Sequence, residues 1–215
     1  MTHPVMKRAY DVSFAALGLA ILSPVLAVIA LAVKLSDFGP VLFLQERIGQ
    51  FGRTFRIWKF RTMIVDAEKF GLSITKRGDR RVTRIGRILR ATKLDELPQL
   101  WNVLRGDMSL VGPRPEVPRY VARYTAEQRR VLELKPGMTD VASLAFRHEE
   151  RMLGCAQDPE QFYLECCLPR KIEMNLGYSR QANLLRDTWV ILRTLSPFQF
   201  VQGPLHQAEP ARGRG

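Results

Sequence analysis

Asp95 and Glu96 are adjacent carboxylates placed just after the most basic stretch of the chain. Residues 45 to 93 hold 14 Lys or Arg against 4 Asp or Glu. Carboxylates among cations suit phosphate chemistry around a divalent ion, because a carboxylate meets a phosphate only when positive charge offsets their repulsion. The plainer reading is also open: carboxylates suit helix N-termini through capping and the macrodipole. Gly112-Pro-Arg-Pro-Glu116 follows closely. Two prolines stiffen the backbone around Arg114, and one X-Pro bond is a candidate for the cis form. A guanidinium so held can present a fork to phosphate or to a planar polar group. Its bland alternative is a surface turn with a solvated arginine. The chain has no P-loop, no G-x-G-x-x-G and no G-x-S-x-G. His3, His148 and His206 are scattered and suggest no histidine base; His148 falls in the charged run Arg147 to Arg151, read as a solvated face.

These groups need elements to hold them. Leu97, Leu100, Trp101 and Leu104 recur at i, i+3, i+4, i+7, which predicts a helix with these four on the buried stripe. Pro98 belongs in its first turn, Asp95 and Glu96 fall at or beside its N-terminus, and Gly106 can end it. Residues 41–45 and 54–60 read as short strands around the Gly-Gln-Phe-Gly turn at 49–52. Arg80 to Ala91 reads as a helix with Val82, Ile85 and Leu89 on one stripe, Ile88 beside it, and Arg80, Arg81, Arg84, Arg87 and Arg90 elsewhere. That pattern suits a membrane-interfacial helix, and equally an ordinary amphipathic helix over a core. Lys135-Pro-Gly137 predicts a type II turn with Gly at the positive-φ position. Residues 164–178 and 183–195 read as helices, the second with Leu184, Leu185, Trp189, Ile191 and Leu192 as a possible membrane contact. The expected class is α+β, mostly helical.

Val12 to Val33 is a run of 22 residues without Asp, Glu, Lys or Arg. As a helix it would span about 33 Å, close to a bilayer core. It continues past Ser23-Pro24, unlike a cleaved signal segment. Pro24 cannot donate to the Ala20 carbonyl and should kink or break the helix, while Ser23 can offer a hydroxyl to the freed group. A kinked single span and a re-entrant helix-break-helix both fit, and the residues alone favour the kinked span. The formal charge of the 215-residue chain is +12. Such an excess points to a polyanionic partner: nucleic acid, anionic membrane or phosphate-rich substrate. Three cysteines, two of them adjacent, exclude a disulfide framework and zinc-ligand spacing, and suit a reducing compartment. Ala208 to Gly215 has the composition of a disordered tail.

In order along the chain stand Lys7-Arg-x-x-Asp11, Ser23-Pro24, Gly39-Pro-Val41, Gln45-x-Arg-x-Gly49, Lys59-Phe-Arg-Thr-Met63, Leu94-Asp-Glu-Leu-Pro-Gln-Leu-Trp-Asn102, Gly106-Asp-Met-Ser-Leu-Val-Gly-Pro-Arg-Pro115 and Lys135-Pro-Gly137. Together they resemble the bacterial sugar transferases that are monotopic polyprenyl-phosphate phosphoglycosyl transferases, over residues 7–195. The resemblance implies a re-entrant membrane helix over 1–38 broken at Ser23-Pro24, which reverses the preference above. It implies a cytosolic catalytic domain over 39–201 with interfacial amphipathic helices, and a disordered tail over 202–215. It implies that Asp95 and Glu96 are the catalytic dyad, holding Mg²⁺ as well. It implies transfer of a sugar phosphate from a UDP-sugar to undecaprenyl phosphate with release of UMP, at the cytoplasmic face of the bacterial inner membrane. The loop Pro113, Arg114 and Pro115 is then associated with the nucleotide. Lys59, Arg61, Arg87 and Arg90 are candidates to steady phosphate oxygens. Membrane lipids are expected partners and nucleic acid is not. Many members continue Thr-Gly-Trp-Ala-Gln after the Lys-Pro-Gly turn, whereas this chain reads Thr139-Asp-Val-Ala-Ser143, a departure that bears on sugar choice. The alternatives are a membrane-tethered nucleic-acid-binding protein, which leaves the dyad and the rigid arginine without a task, and a membrane scaffold, which explains the anchor and basic helix and predicts no turnover.

Overall fold

The computed structural model describes residues 3–67 and 79–196. The tail expected at 202–215 lies outside them. α1 runs Pro4–Asp37, with proline at its first turn, where the missing N–H is no loss, and His3 as N-cap. The helix passes through Pro24 without interruption, so the expected break at Ser23-Pro24 is not a break in helical structure. The reason is local: Ser23 Oγ donates to the Ala20 carbonyl at 2.8 Å, satisfying the acceptor that the proline ring orphans. One side of α1, with Asp11, Ala15, Ile29 and Val33, is buried; Leu17, Ile21, Val28 and Leu31 are exposed.

The strands expected at 41–45 and 54–60 are β1, Leu42–Ile48, and β2, Thr54–Phe60, an antiparallel hairpin in register from Leu42 opposite Phe60 to Ile48 opposite Thr54. α2 spans Arg84–Thr92 and starts later than expected, because Val82 bridges Met63 and Thr83 caps the helix by accepting from Gly86 N at 2.9 Å. Gly86 lets α2 lie on the backbone of Thr62: a Cβ there would sit 2.0 Å from the Thr62 carbonyl oxygen. Leu89 is buried and Ile88 exposed.

A 3-10 turn, Leu94–Glu96, leads through Leu97 and Pro98 into α3, Gln99–Arg105, which Gly106 ends with φ 92°. The buried side of α3 is Gln99, Leu100, Asn102 and Val103. Trp101, expected on the buried stripe, is 45% exposed. Asn102 displaces it: its amide donates to the Arg56 carbonyl (2.8 Å) and accepts from Trp58 N (3.0 Å), locking α3 to β2.

β3, Ser109–Val111, precedes α4, Pro118–Val121, and pairs in parallel with β4, Gly137–Thr139. The expected type II turn at Lys135-Pro-Gly137 is corrected: Gly137 opens β4 and is not among the residues with positive φ. Glycine is needed there for approach, since a Cβ would fall 2.1 Å from Gly112 N. α5 (Val141–Ala145), α6 (Glu149–Cys155) and α7 (Pro159–Phe162) follow. The helix expected from 164 begins as a π-helical turn, Tyr163–Cys167, and continues as α8, Leu168–Ser179. α9, Leu184–Leu195, is capped by Asn183. Leu185, Trp189, Leu192 and Leu195 are exposed on it.

Candidate active site

Asp95 and Glu96 sit on the 3-10 turn between α2 and α3. Lys93, with φ 60°, ends α2 and starts that turn, so the carboxylates stand just beyond a sharp reversal. Arg114 comes to them from the loop after β3. Its Nη1 donates to Glu96 Oε2 at 3.1 Å and its Nη2 to Glu96 Oε1 at 2.5 Å. Lys59 Nζ, from β2, lies 4.0 Å from the same Oε1.

The loop is fixed from behind. Arg114 N donates to Asp140 Oδ2 at 3.0 Å, and Asp140 Oδ1 caps α5 by accepting from Ser143 N at 2.5 Å. Arg47 donates to the Pro115 carbonyl at 3.0 Å and reaches Glu116 at 3.8 Å. The Tyr163 hydroxyl donates to Glu116. No described peptide bond is cis, so the stiffness comes from these contacts and from the two proline rings.

The two carboxylates differ in environment. Burial raises Glu96, but Arg114 and Lys59 outweigh it and hold its pKa well below the usual carboxylate range. Burial, then the Glu96 charge, pushes Asp95 above its ordinary value, against Lys59, Lys93 and Arg90. Burial brings Lys59 down to about 7, while Glu96 opposes that shift. Asp95 is 8% exposed, and its Oδ1 is buried with no hydrogen-bond partner. Gln99 Nε2, at the start of α3, is likewise buried and unpartnered. An orphaned carboxylate oxygen costs free energy unless something meets it. Chemically, such an oxygen can accept a hydrogen bond, ligate a cation or act as a nucleophile.

Of the residues expected at the site, Asp95, Glu96, Lys59 and Arg114 meet in one place. Pro113 and Pro115 flank that arginine. Arg90 donates to Thr62 Oγ1 at 2.9 Å and its charge reaches Asp95. Arg87 is exposed on α2. Arg61 is elsewhere: it is buried, forks Asp37 and donates to the Pro40 carbonyl at 2.5 Å, fastening the end of α1 to β2. Ser23 and Pro24 lie within α1. Arg114, expected to fork phosphate, forks Glu96. Sequence reasoning missed Lys93 and Asp140; the first was hidden in the basic run, and the second was visible only as a departure from a pattern.

Among the described residues no cluster of three His, Cys, Asp or Glu is poised to hold a metal. Mg²⁺ needs less where substrate phosphates and waters complete its shell: one or two carboxylates serve. The open oxygen of Asp95 fits that requirement, and Glu96 is the adjacent carboxylate.

The chain matches the description "Bacterial sugar transferase" over residues 2–200. It is 35% identical over 198 residues to the UDP-N-acetylgalactosamine-undecaprenyl-phosphate N-acetylgalactosaminephosphotransferase of Aeromonas hydrophila, covering 90% of this chain and 43% of that protein. It is 42% identical over 200 residues to the UDP-glucose:undecaprenyl-phosphate glucose-1-phosphate transferase of Caulobacter vibrioides, covering 88% and 68%. With the Escherichia coli protein of the same name it shares 38% over 199 residues, covering 89% and 39%. The chain thus spans about two-fifths of the length of some curated relatives and about two-thirds of others. With nearly its whole described length inside that match, the chain belongs to the bacterial sugar transferase family.

Proposed function

We propose that this chain transfers a sugar 1-phosphate from a UDP-sugar to undecaprenyl phosphate, releasing UMP, through a covalent intermediate on Asp95. The observation that carries the reading is the contrast within the dyad: Glu96 is neutralised by a fork, while Asp95 keeps a buried, unpartnered oxygen among Lys59, Lys93 and Arg90. In the first step that oxygen bonds to the sugar-linked phosphorus. The bond from that phosphorus to the bridging oxygen breaks, and UMP leaves with the electron pair. In the second step an oxygen of the lipid phosphate bonds to the same phosphorus and the Asp95 carboxylate departs. Two displacements replace one difficult one. Lys59, Arg90 and Arg114 stabilise phosphate oxygens as charge shifts. Asp95 and Glu96 would hold Mg²⁺, which when bound offsets diphosphate charge and supports the leaving group.

α1 is long and apolar enough to cross a membrane by length and composition. Its two ends are nonetheless fastened to one folded body, through Lys7 and Arg8 at one end and Asp37 at the other. That supports a monotopic reading, with both ends on the cytoplasmic face of the inner membrane. The exposed apolar residues of α1 and α9 would meet lipid.

The test uses the full chain in detergent with donor alone. Quenched enzyme should release up to one UMP per chain and gain the mass of a sugar phosphate on the peptide containing Asp95. Fast turnover with lipid but neither signal without it would replace the two-step route by direct attack of the lipid phosphate.

A further inference from the structure

One buried group beside the dyad has no task in the two displacements. Gln99 is 1% exposed, and its Nε2 is buried with no hydrogen-bond partner. The backbone fixes its place. Leu97 (φ −55°, ψ −35°) and Pro98 (φ −59°, ψ −17°) are helical, so the 3-10 turn runs into α3 without a break. On such a backbone, residues three and four apart are neighbours. Gln99 is four positions from Asp95 and three from Glu96. Glu96, Gln99 and Asn102 form a row beside β2, with Glu96 4.0 Å from Lys59 at one end and Asn102 bonded to the Arg56 and Trp58 backbone at the other. Glu96 is forked by Arg114 and Asn102 is held by β2. Asp95 Oδ1 and Gln99 Nε2 remain, an acceptor and a donor one helical turn apart that do not bond each other. A buried donor left without a partner costs free energy.

We infer that Gln99 is a further catalytic residue, whose Nε2 donates a hydrogen bond to a nonbridging oxygen of the sugar-linked phosphoryl group while that phosphorus bonds to Asp95. The inference rests on the covalent reading of Asp95 above. One ligand meets both open atoms only if it offers an electrophile to the carboxylate and an acceptor to the amide. A phosphoryl group has both on neighbouring atoms. A cation would meet Asp95 and reject the amide nitrogen, and a sugar hydroxyl would accept from the amide but give the carboxylate no phosphorus. The residue type fits the task. An Arg or Lys at this position would pair with Asp95, as Arg114 pairs with Glu96, and quench the nucleophile. A neutral amide donates without doing so. As the Asp95 oxygen bonds to phosphorus and UMP leaves with the electron pair of the broken bond, Gln99 transfers no proton. It stabilises the charge on the nonbridging oxygen, as a fixed donor aimed at a developing oxyanion does.

The test follows UMP release in a single turnover by the full chain in detergent, with donor and no lipid. Gln99→Met keeps the length of the side chain and removes the donor. Its release of UMP should slow about 10²-fold, the loss expected of one oxyanion donor. Its melting temperature should hold or rise, because an apolar group replaces an unsatisfied polar one. The decisive measurement compares normal donor with the two diastereomers that carry sulfur at one nonbridging position of the sugar-linked phosphorus. Sulfur accepts hydrogen bonds poorly, so wild type should slow about tenfold with one diastereomer, roughly the loss of a hydrogen bond to a charged group. Gln99→Met should lose that discrimination. The ratio is internal to each protein and does not depend on the fraction folded. If Gln99→Met does not fold, Gln99→Asn, which draws the amide back by one methylene, takes the same measurement. An unchanged rate, or the same sulfur-to-oxygen ratio in variant and wild type, overturns the inference and leaves Gln99 a packing residue or one bridged to Asp95 by water. Failure of the parent reading looks different: wild type itself would release no UMP without lipid and gain no mass on the Asp95 peptide, and both readings would fall.

Discussion

At the foot of α1, Lys7 lies 2.9 Å from Asp11 and 3.0 Å from Asp187. Asp11 also accepts from Leu110 N at 3.2 Å, and Asp187 from the Tyr178 hydroxyl at 2.6 Å. At the turn after α2, Glu96 is similarly enclosed by Arg114 and Lys59, but Asp95 and Gln99 keep buried atoms with no partner. Both regions bury carboxylates beside cations. The first is closed: each carboxylate has its donors, and the network ties α1 to α9 and to β3. The second is open at Asp95 Oδ1 and at Gln99 Nε2. On the proposed function, the closed network holds the fold and the open one keeps a place for substrate. On that reading Asp11 and Asp95 differ in what remains unsatisfied, since residue type and burial are the same.

The sharpest way to break the contrast is Asp95→Asn. The amide keeps the shape and loses the charge and nucleophilicity, so turnover should fall by about 10³-fold or more, to background, as expected when a covalent nucleophile is lost. The melting temperature should hold or rise, because a desolvated carboxylate is removed. A large fall in melting temperature would make Asp95 a structural residue like Asp11.

The converse variant is Asp11→Ala. It leaves Lys7 with Asp187 alone and strands Leu110 N. Removing one partner of a buried pair costs about 3–5 kcal/mol, and the partial exposure of Lys7 lowers the expectation to about 2–3 kcal/mol. Denaturant or thermal unfolding should show that loss, while kcat per folded molecule should stay near wild type. A large loss of kcat without loss of stability would make the network at α1 part of the catalytic machinery.

How much of this contrast is legible in sequence follows from the range of the interactions. The β1–β2 hairpin, the Gly106 stop and the helical run of α1 rest on local periodicity and turn chemistry, and the sequence shows them. The proximity of Asp95, Glu96, Lys59 and Arg114 was suggested by motif order and family resemblance; periodicity carries no such information. What stayed hidden depends on distant partners. Arg61 reads as a phosphate ligand because it is basic and beside Lys59, but Asp37, 24 positions away, claims it. Trp101 reads as buried on the helical stripe, but Asn102 binds the edge of β2 and turns the helix. Gly137 reads as a turn glycine, but the parallel pairing of β3 and β4 needs it for close approach.

The pH dependence sharpens the open side of the comparison. Burial brings Lys59 down to about 7, so its cationic form is present below that pH and is lost as pH rises through it. Donor capture by the free enzyme should follow the cation. The value of kcat/KM for the UDP-sugar should fall about eightfold between pH 6.5 and 8, as one ionisation near 7 requires. The kcat should change less, because bound diphosphate favours the protonated amine. On the acid side, the raised pKa of Asp95 should move the loss of activity to higher pH than an ordinary aspartate would give. A flat kcat/KM from pH 6.5 to 8 would remove Lys59 from donor binding.

Arg114→Lys probes the closed half of the dyad, and the expected effect is the smallest. An ammonium can stay near Glu96 and keep it ionised, but it cannot replace two parallel N–H bonds. Glu96 would be held more loosely, and donor phosphate would meet a point charge in place of a fork. The KM for the UDP-sugar should rise about three- to fivefold, roughly the loss of one charge-assisted hydrogen bond softened by the retained charge. The KM for polyprenyl phosphate should move less, because on the proposed function the Arg114 fork serves the donor. The backbone contact to Asp140 does not depend on the side chain, so the loop itself should keep its place. Equal rises in both KM values would mean that Arg114 serves the shared phosphate position alone. An unchanged donor KM with a lower kcat would mean that its work is to hold Glu96, which would make this arginine part of the closed network and leave Asp95 as the open carboxylate of the dyad.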